Sequence, residues 1–532
     1  MKIIIADSLP ASALELLTRE GWTVDVRPGR SSDELARDIV DADALIVRSA
    51  TMVTGDLLAA SEKLRVVARA GTGVDNVDLE AASTRGVLVL NAPGANSISV
   101  AEHACALMLA SARSIALADA QMKAGEWGKN TLRGAELRGK TLGVVGLGRI
   151  GREVARRVRS FDMKVVAHDP FIAAHIANDL DIELLSLEDL AERSDFISLH
   201  LPSTNTTRGL VDADLLARCK PNVRIINTAR GDLIDETALA EAIDQKRIAG
   251  AALDVYQEEP PTSTALIGLR HVVATPHIAA STAEAQELVG LEAAAGVRDY
   301  LQAGIVRNAV NYPSVGPEEF KRLRPYLGLM QRMGSLLAQL SDCRVSGVGI
   351  RYYGELANSN NDMLVGAALV GVFRHVLSSS VTLINARTIA EQRGLEIIES
   401  RSTRARNFTS LISLKLHTNT GERWAEGAVF EPTQPRIIRL DNVEIEVALE
   451  GKLIIIRNDD LPGVIGEVGS ILGRHGINIA TFALGRGNSG AIGVVRVGEK
   501  DVSNKNLATT EQAVLEEIRR IDAVRSVSLV TL

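Results

Sequence analysis

Cysteine is scarce in this sequence, with three residues in a chain of 532. Cys105, Cys219 and Cys343 lie far apart and form no CxxC pair. This spacing argues against a disulfide framework and against a cysteine-based zinc site. We therefore predict a reduced, cytoplasmic protein without a metal site.

Long apolar runs are missing as well. The run Ile3–Ile5 is soon followed by Asp7, which leaves it far too short for a signal peptide. No stretch of the chain approaches the ~20 apolar residues of a membrane span. The formal net charge is -7, which gives no reason to expect nucleic acid or an anionic membrane as a partner. We predict a soluble protein.

Aromatic residues are few, at 3%, while the hydrophobic fraction is 46%. Alanine, valine, isoleucine and leucine must therefore fill the core, which suits the buried parallel strands of α/β folds. The chain is too long for one hydrophobic core, so three or four domains are expected.

Short apolar runs and helical patterns alternate twice in the first half of the chain. This alternation is typical of parallel sheets covered by helices. A long amphipathic helix at about 97–125 is predicted between the two alternations. The predicted strands are 2–7, 22–26, 44–49, 64–71 and 87–94 in the first alternation, and 141–148, 164–169, 195–202, 222–231, 248–256 and 271–279 in the second.

The second half of the chain has a different pattern. A helix from about 281 leads to a predicted linker at 309–319. An α+β unit without a visible catalytic motif follows, and the last eighty residues predict the order βαββαβ, which is the ferredoxin-like arrangement. In the α+β unit we predict helices at 319–341 and 363–377 and strands near 346–353, 410–417 and 436–449.

A glycine-rich motif ends the first strand of the second alternation. Gly146, Gly148 and Gly151 form a GxGxxG run that leads into a helix. Glycine at these positions permits a tight turn, close approach of a diphosphate to the helix N-terminus, and close packing of helix on strand. Asp169 ends the next strand, where a carboxylate can bind both ribose hydroxyls and repel a 2′-phosphate. The motif therefore predicts a Rossmann domain that binds NAD rather than NADP.

Candidate catalytic residues lie at later strand ends. Arg230 follows small residues in NTARG, where a guanidinium can bind a carboxylate in bidentate fashion. His277 in TPHIA has the side chain best suited to take a hydroxyl proton near neutral pH, and Glu259 can hold its tautomer. Taken alone, the residues leave two alternatives open. Arg230 could pair with Asp232 or Asp235 at the surface, and His277 could be structural.

Four runs carry a family resemblance. LGVVGLGRIGREVA, INTARGDLIDETAL, AALDVYQEEP and TPHIAAST occur in the order found in D-isomer-specific 2-hydroxyacid dehydrogenases, and the N-terminal 310 residues resemble that family. The resemblance implies a flavodoxin-like substrate domain, 1–95 and 283–315, interrupted by a Rossmann NAD domain, 96–282. It implies that Arg230 orients the substrate, that His277 is the acid/base and that Glu259 is its partner. The implied NAD-binding residues are Gly146, Gly148, Arg149, Ile150, Gly151, Asp169, Leu201, Thr228, Ala229 and Asp254.

Within the family, the runs LIVRSAT and 66–103 are similar to the members that oxidise D-3-phosphoglycerate with NAD, at the start of L-serine biosynthesis. A glycine-containing loop beside arginines is also a plausible anion nest. From the residues alone, a plain turn with solvated arginines is the alternative. The implied substrate-binding residues are Arg48, Arg69, Gly71, Thr72, Gly73 and Asn96.

The last unit, 451–532, resembles an ACT domain, which binds amino acids at subunit interfaces. The unit 316–450 resembles the extra, intervening domain of the long members of the family. Asp460 in DDLPGV and Asn478 in GINI are the implied ligands of L-serine, which would act as a feedback inhibitor in a homo-oligomer of two or four subunits. The alternative is a module that only mediates subunit contact.

Two other functions stay open. The same site could reduce another 2-oxo acid, such as glyoxylate or 2-oxoglutarate, or the chain could be a non-enzymatic NAD sensor like the corepressors of this family. Arg48, Arg69 and the two extra domains favour 3-phosphoglycerate. Nothing in the sequence indicates the peptide or DNA partner that a corepressor needs.

Overall fold

The computed structural model describes residues 1–262, 264–313, 315–341, 345–377, 381–404, 407–430, 434–488, 490–498 and 507–532. Cys343 lies outside these ranges. Cys105 and Cys219 are free thiols, and burial raises the pKa of each to about 11.

A parallel sheet of five strands forms the first unit, in the order β2-β1-β3-β4-β5. This is the flavodoxin-like order predicted for the substrate domain. The aliphatic runs Ile3–Ile5 and Ala44–Val47 are completely buried because helices cover both faces of the sheet. The elements are β1 Lys2–Ile5, α1 Ala11–Thr18, β2 Thr23–Val26, α2 Ser32–Asp38, β3 Ala44–Val47, α3 Gly55–Ala59, β4 Val66–Arg69, α4 Leu79–Thr84 and β5 Leu88–Leu90.

Two helices connect this sheet to the next, α5 Ser97–Arg113 and α6 Ile115–Lys123. The prediction of one continuous helix at 97–125 was wrong, because Ser114 adopts a left-handed conformation and the chain bends there by 65°. Helix α5 is buried along one side, whereas α6 has no buried residue. Packing against the protein therefore fixes the direction of the helix axis only as far as Arg113. Within the described ranges, no single helix is long and apolar enough to cross a membrane, and only this bent pair reaches the required length and composition together.

The second unit is a parallel sheet of seven strands in the order β12-β11-β10-β9-β6-β7-β8. The strand order reverses between β6 and β9, which is the topological switch point where Rossmann folds bind ligands. Strand β8 is a short edge strand that the sequence pattern did not predict. The elements are β6 Thr141–Val145, α7 Arg149–Val158, β7 Lys164–His168, α8 Ala174–Asp179, β8 Glu183–Leu184, α9 Leu187–Arg193, β9 Phe196–Leu199, α10 Ala213–Arg218, β10 Arg224–Asn227, α11 Glu236–Asp244, β11 Gly250–Leu253 and β12 Val272–Ala274.

Helix α12, Ala283–Ala303, returns the chain to the first sheet, where it packs against α1 and β4. The start of the predicted linker at 309–319 is anchored rather than loose. The Asn311 side chain accepts from the Val89 N–H at 2.9 Å and donates to the Val87 carbonyl at 2.9 Å, and Tyr312 is buried. The linker prediction was therefore wrong for 309–313, since these contacts fix the segment along β5.

A mixed sheet of six strands forms the third unit, in the order β14-β13-β15-β16-β17-β18. Strands β14 and β16 were not predicted, because β14 is mostly exposed and β16 lacks a clear apolar alternation. The predicted strand 436–449 is a hairpin that turns at Asp441. The elements are α13 Pro317–Gln339, β13 Val345–Gly354, α14 Asp362–Phe373, α15 Ala386–Gln392, β14 Glu396–Ser402, β15 Ser410–Thr418, β16 Gly421–Phe430, β17 Gln434–Leu440 and β18 Val443–Ala448.

The fourth unit is an antiparallel sheet in the order β20-β21-β19-β22. The predicted ferredoxin-like order βαββαβ is confirmed. One face of the sheet packs on the unit's own two helices, where Ile454 of the sheet and Val468 of the first helix belong to the same core. The other face, through Leu453 and Val494, joins the core that α13 covers in the third unit. The elements are β19 Lys452–Asn458, α16 Val464–Arg474, β20 Ile479–Gly487, β21 Gly490–Val497, α17 Leu507–Arg519 and β22 Val524–Thr531.

Candidate active site

The GxGxxG loop lies at the switch point of the seven-stranded sheet. Gly146 has a φ of 95°, and a Cβ there would lie 2.6 Å from the carbonyl oxygen of His200 and 2.8 Å from Leu201. A Cβ on Gly151 would collide with the carbonyl oxygen of Gly146. Gly148 precedes α7 without a side-chain cap, and a Cβ there would meet open space. The loop therefore leaves the N-terminus of α7, which begins with Arg149 and Ile150, open to an anion.

Two further features of this region fit a dinucleotide. The Asp169 carboxylate accepts from the N–H groups of Leu147 and Phe171, each at 2.9 Å, so it is fixed beside the glycine loop. In the described part of the chain, the buried Thr228 hydroxyl has no hydrogen-bond partner, which suits a donor or acceptor from a bound molecule. The N–H of Ala229 donates to the Asn227 side chain at 3.0 Å. The Arg149 side chain instead donates to the carbonyl of Pro93, across the junction of the two units.

His277 and Glu259 form the predicted pair. The His277 Nδ1 atom lies 2.6 Å from a Glu259 carboxylate oxygen, and both side chains are partly exposed. Glu259 also accepts from the Tyr256 N–H at 3.1 Å. Burial alone would raise the pKa of Glu259, but the hydrogen bonds from His277 and Tyr256 outweigh it and hold the pKa below its ordinary value. The carboxylate therefore stays ionised beside the imidazole at neutral pH.

Asp254 holds the turn that carries His277. This fully buried carboxylate accepts from the N–H groups of Ile278 at 2.9 Å and Ala279 at 2.8 Å, and from the Thr275 hydroxyl at 2.6 Å. Burial would raise the pKa of Asp254, but its hydrogen bonds lower it below the ordinary value. These contacts stabilise His277 in a left-handed conformation, with a φ of 52°.

His103 joins the same network, with Nε2 at 3.3 Å from Asp254 and 3.1 Å from the Thr275 hydroxyl. This contact could not be predicted from the sequence, because His103 lies on α5, far from Asp254 in the chain, and no residue spacing links the two positions. His200 differs, since burial lowers its pKa to about 4, which indicates a neutral structural residue.

Arg230 pairs with a carboxylate of the other unit. Its Nη2 atom lies 2.9 Å from a carboxylate oxygen of Asp75, and its Nη1 atom donates to the carbonyl of Ala229 at 2.6 Å. Gly73 lies directly against the guanidinium, where a Cβ would collide with Nη2. The alternative partners considered for Arg230 are engaged elsewhere. Asp232 pairs with Arg208, and Asp235 caps α11. Asp75 was not predicted, because the contact crosses from one unit to the other.

A cleft of about 850 Å³ between the two parallel sheets brings together most of the predicted catalytic and substrate-binding residues. The Thr72 hydroxyl donates to the Asn96 side chain at 2.8 Å, which fixes the loop behind the cleft. Burial and the nearby guanidinium of Arg230 lower the pKa of Arg69, and among the described residues its buried Nε has no hydrogen-bond partner. The predicted residues in the lining are Arg48, Arg69, Gly71, Asn96, Arg230, Glu259 and His277, joined by the unpredicted Asp75, Arg208 and Asp232.

Asp460 and Asn478 belong to the fourth unit and do not line this cleft. The Asp460 carboxylate pairs with Arg486 at 3.3 Å, and the carbonyl of Asn478 accepts from the Gly498 N–H at 2.9 Å. Across the described ranges, no group of three or more His, Cys, Asp or Glu side chains is arranged to hold a metal ion.

The chain has close relatives of known family. Residues 105–279 match the NAD binding domain of D-isomer specific 2-hydroxyacid dehydrogenases, and residues 322–441 match the D-3-phosphoglycerate dehydrogenase intervening domain. A D-3-phosphoglycerate dehydrogenase of Methanocaldococcus jannaschii is 40% identical over 533 residues, which span 100% of both chains. The chain belongs to the D-3-phosphoglycerate dehydrogenase family. The corresponding protein of Mycobacterium tuberculosis is 42% identical over 486 residues, which cover 91% of each chain.

Solved structures of the wider dehydrogenase family match the N-terminal part. An NADPH-dependent glyoxylate/hydroxypyruvate reductase from Sinorhizobium meliloti superposes with a TM-score of 0.53 and 28% identity, over 58% of this chain and 97% of that one. Membership in the D-3-phosphoglycerate dehydrogenase family confirms the predicted NAD-dependent oxidoreductase and its Rossmann fold. The roles of single residues and the domain boundaries stay predictions.

Proposed function

We propose that the cleft oxidises D-3-phosphoglycerate to 3-phosphohydroxypyruvate with NAD, as the first step of L-serine biosynthesis in the cytoplasm. One observation carries the proposal. A single cleft joins Arg48 and Arg69 of the five-stranded sheet to Arg230 and the His277–Glu259 pair of the seven-stranded sheet. The first group can hold an acidic substrate, and the second can take a proton from its hydroxyl.

His277 is the proposed general base. Because Nδ1 is held by Glu259, Nε2 is the nitrogen that can accept the proton of the substrate C2 hydroxyl. The Glu259 carboxylate then stabilises the imidazolium. Asp254 and His103 are proposed to keep the turn in place, in addition to the contact with NAD that the resemblance implies for Asp254. When NAD is bound, it supplies the acceptor for the hydride from C2.

The substrate is held by its two anionic ends. Arg230 is proposed to orient the carboxylate and the adjacent C2 oxygen. Arg48 and Arg69, with the backbone of loop 71–73, are proposed to hold the phosphate, and Asn96 and Thr72 to fix that loop. The unpartnered Nε of Arg69 supports an anionic ligand there, since a buried donor normally has a partner.

For the cofactor, the backbone of the loop that contains Gly146, Gly148 and Gly151 is proposed to bind the diphosphate through its N–H groups. Asp169 is proposed to bind the ribose hydroxyls and to repel a 2′-phosphate. Leu201, Thr228 and Ala229 are proposed to line the remainder of the NAD site. The domain boundaries proposed with this arrangement are 1–95 with 283–315, 96–282, 316–450 and 451–532.

The test of this function is a substrate screen. Formation of the reduced cofactor is followed by absorbance with D-3-phosphoglycerate and NAD, and with NADP in place of NAD. In the reverse direction, NADH consumption is followed with 3-phosphohydroxypyruvate, glyoxylate and 2-oxoglutarate. We expect oxidation of 3-phosphoglycerate with NAD in preference to NADP, and the highest reverse kcat/KM with 3-phosphohydroxypyruvate. A higher kcat/KM for another 2-oxo acid would reassign the substrate, and no turnover of any of them would favour a non-enzymatic NAD sensor.

We further propose that L-serine binds the fourth unit, as an ACT domain of a homo-oligomer, at Asp460 and Asn478, and inhibits the enzyme. A chain of contacts from the fourth unit to the unit of the five-stranded sheet, which contributes one side of the cleft, supports this. The fourth unit shares a core with the third, and Thr382 and Asn385 of the third unit contact Gly86 and Thr84 just before β5. A coupling free energy of about 1–3 kcal/mol between the two sites is sufficient.

Asn478→Ala should abolish inhibition by L-serine without changing kcat in its absence. The matched control is Asn488→Ala, an exposed residue in the turn between β20 and β21, which should remain inhibited. Point variants are preferable to truncation at 450, because truncation would remove Leu453 and Val494 and expose the part of their shared core that α13 and the third unit contribute. Absence of serine binding to the intact chain by calorimetry would refute this part of the proposal.

A further inference from the structure

The substrate-binding arginine of the cleft already has a counter-ion in the protein. Asp75 follows the glycine loop of the five-stranded sheet, whereas Arg230 follows β10 of the seven-stranded sheet, so their 2.9 Å ion pair spans the cleft. The Asp75 side chain is 68% exposed and that of Arg230 is 30% exposed. Exposed pairs of this kind contribute little to stability, so a ligand can displace Asp75 at small cost.

The geometry leaves little room for a ligand beside Asp75. On Arg230, Nη1 is engaged by the carbonyl of Ala229 and Nη2 by Asp75, while the backbone of Gly73 lies against Nη2. A carboxylate that binds Arg230 through both nitrogens must therefore take the position that the Asp75 oxygen now holds. The Asp75 side chain and the substrate carboxylate compete for the same donor.

The other carboxylates of the cleft have different partners. Glu259 pairs with His277, and Asp232 pairs with Arg208 at 3.2 Å and with the Ser203 hydroxyl. Among the carboxylates that line the cleft in the described part of the chain, Asp75 is thus the one that faces the cluster of Arg48, Arg69 and Arg230. Within that cluster, repulsion from Arg230 and attraction to Asp75 both act on the buried Arg69.

We propose that Asp75 is a resident counter-ion of Arg230 that every carboxylate ligand must displace. This inference rests on the proposed role of Arg230 in holding the substrate. In the absence of substrate, Asp75 keeps the guanidinium aligned against Gly73 and neutralises it. When substrate binds, its carboxylate replaces Asp75 on Nη2. Asp75 therefore weakens binding of substrate and product alike, and it returns to Arg230 as product leaves.

The test compares Asp75→Asn and Asp75→Ala with Asp232→Asn. Asp232→Asn makes the same charge change in the same cleft but leaves Arg230 paired. The probe is oxalate, a small carboxylate with no hydroxyl group to oxidise, titrated into each full-length variant by calorimetry at about 0.15 M salt, where exposed charges farther apart than about 8 Å are largely screened. We expect both Asp75 variants to bind oxalate about three- to fivefold more tightly than wild type, which corresponds to loss of a weak competing pair. Asp232→Asn should change binding less than twofold.

Kinetics give an independent readout. With 3-phosphoglycerate, the KM of the Asp75 variants should fall by a similar factor while kcat does not rise. Weaker oxalate binding or a higher KM would overturn the inference, because it would mean that Asp75 orients Arg230 for the substrate. An equal gain in Asp232→Asn would also overturn it, since simple charge removal would then suffice. Lack of 3-phosphoglycerate turnover by wild type would refute the proposed function, while the oxalate titration would still test Asp75.

Discussion

The two parallel sheets contribute to the cleft in different ways. The seven-stranded sheet supplies groups that its own backbone positions, as when Asp254 fixes the turn of His277 through two N–H groups. The five-stranded sheet supplies Arg48 and Arg69 together with a glycine loop that Asn96 and Asn91 brace. The proposed chemistry and the proposed binding of the substrate carboxylate therefore belong to one sheet, and the proposed recognition of the phosphate belongs to the other. Substitutions in the two sheets should accordingly have different kinetic signatures.

His277→Ala should have the largest effect. Without the base, kcat should fall by about 10²–10⁴, the usual contribution of a positioned general base. NAD binding should be unchanged, because the glycine loop and Asp169 follow β6 and β7, which are separated in the sheet from β12, the strand before His277. Turnover by stopped-flow absorbance and NAD binding by calorimetry check the two parts. Near-wild-type turnover at neutral pH would show that another group takes the proton.

The companion variant Glu259→Gln keeps the imidazole and removes its counter-charge. In wild type the pKa of Glu259 lies below its ordinary value, so the pair stays intact as the pH falls through the range where most carboxyls titrate. In the variant the protonated imidazole is less stable, so the acid limb of the pH–rate profile should move to lower pH. If the acid limb does not move, Glu259 is not the partner of the general base.

Asp169→Ala tests the cofactor side of the same sheet. Loss of the carboxylate should weaken NAD binding about ten- to hundredfold, because charged hydrogen bonds to the ribose disappear. It should also narrow the preference for NAD over NADP, because no carboxylate remains to repel a 2′-phosphate. Asp214→Ala, an exposed residue on α10, is the matched control and should behave as wild type. The ratio of kcat/KM for the two cofactors is the measurement. An unchanged ratio would remove Asp169 from the proposed cofactor site.

The difference between the sheets also explains which parts of the site could be predicted. Gly146, Gly151 and the His277–Glu259 pair were predictable because each requirement is local or falls at the ends of adjacent strands. Asp75 and His103 were not, since Asp75 pairs with a residue of the other unit and His103 lies on a helix far along the chain from its partner Asp254. A pattern of residues along the chain does not contain such contacts.

Much of the N-terminal fold was predictable for the same reason. Parallel strands buried on both faces leave continuous aliphatic runs such as Ile3–Ile5, and the order of both sheets followed from the family resemblance. In the third unit, β14 and β16 escaped prediction because exposed or mixed strands carry weak patterns. The bend at Ser114 depends on what α5 packs against, and no local residue such as glycine or proline marks it.

The most direct test of this division of labour compares two substrates on one variant. The kcat/KM for D-3-phosphoglycerate and for D-glycerate, which lacks the phosphate, is measured for wild type, Arg69→Gln and Arg69→Lys. Because both substrates are measured on the same preparation, any loss of folded protein cancels in the ratio. The account predicts that Arg69→Gln lowers the value for 3-phosphoglycerate about tenfold, as expected for one charged hydrogen-bonding partner, and leaves D-glycerate unchanged, with Arg69→Lys in between. An equal fall for both substrates would contradict it.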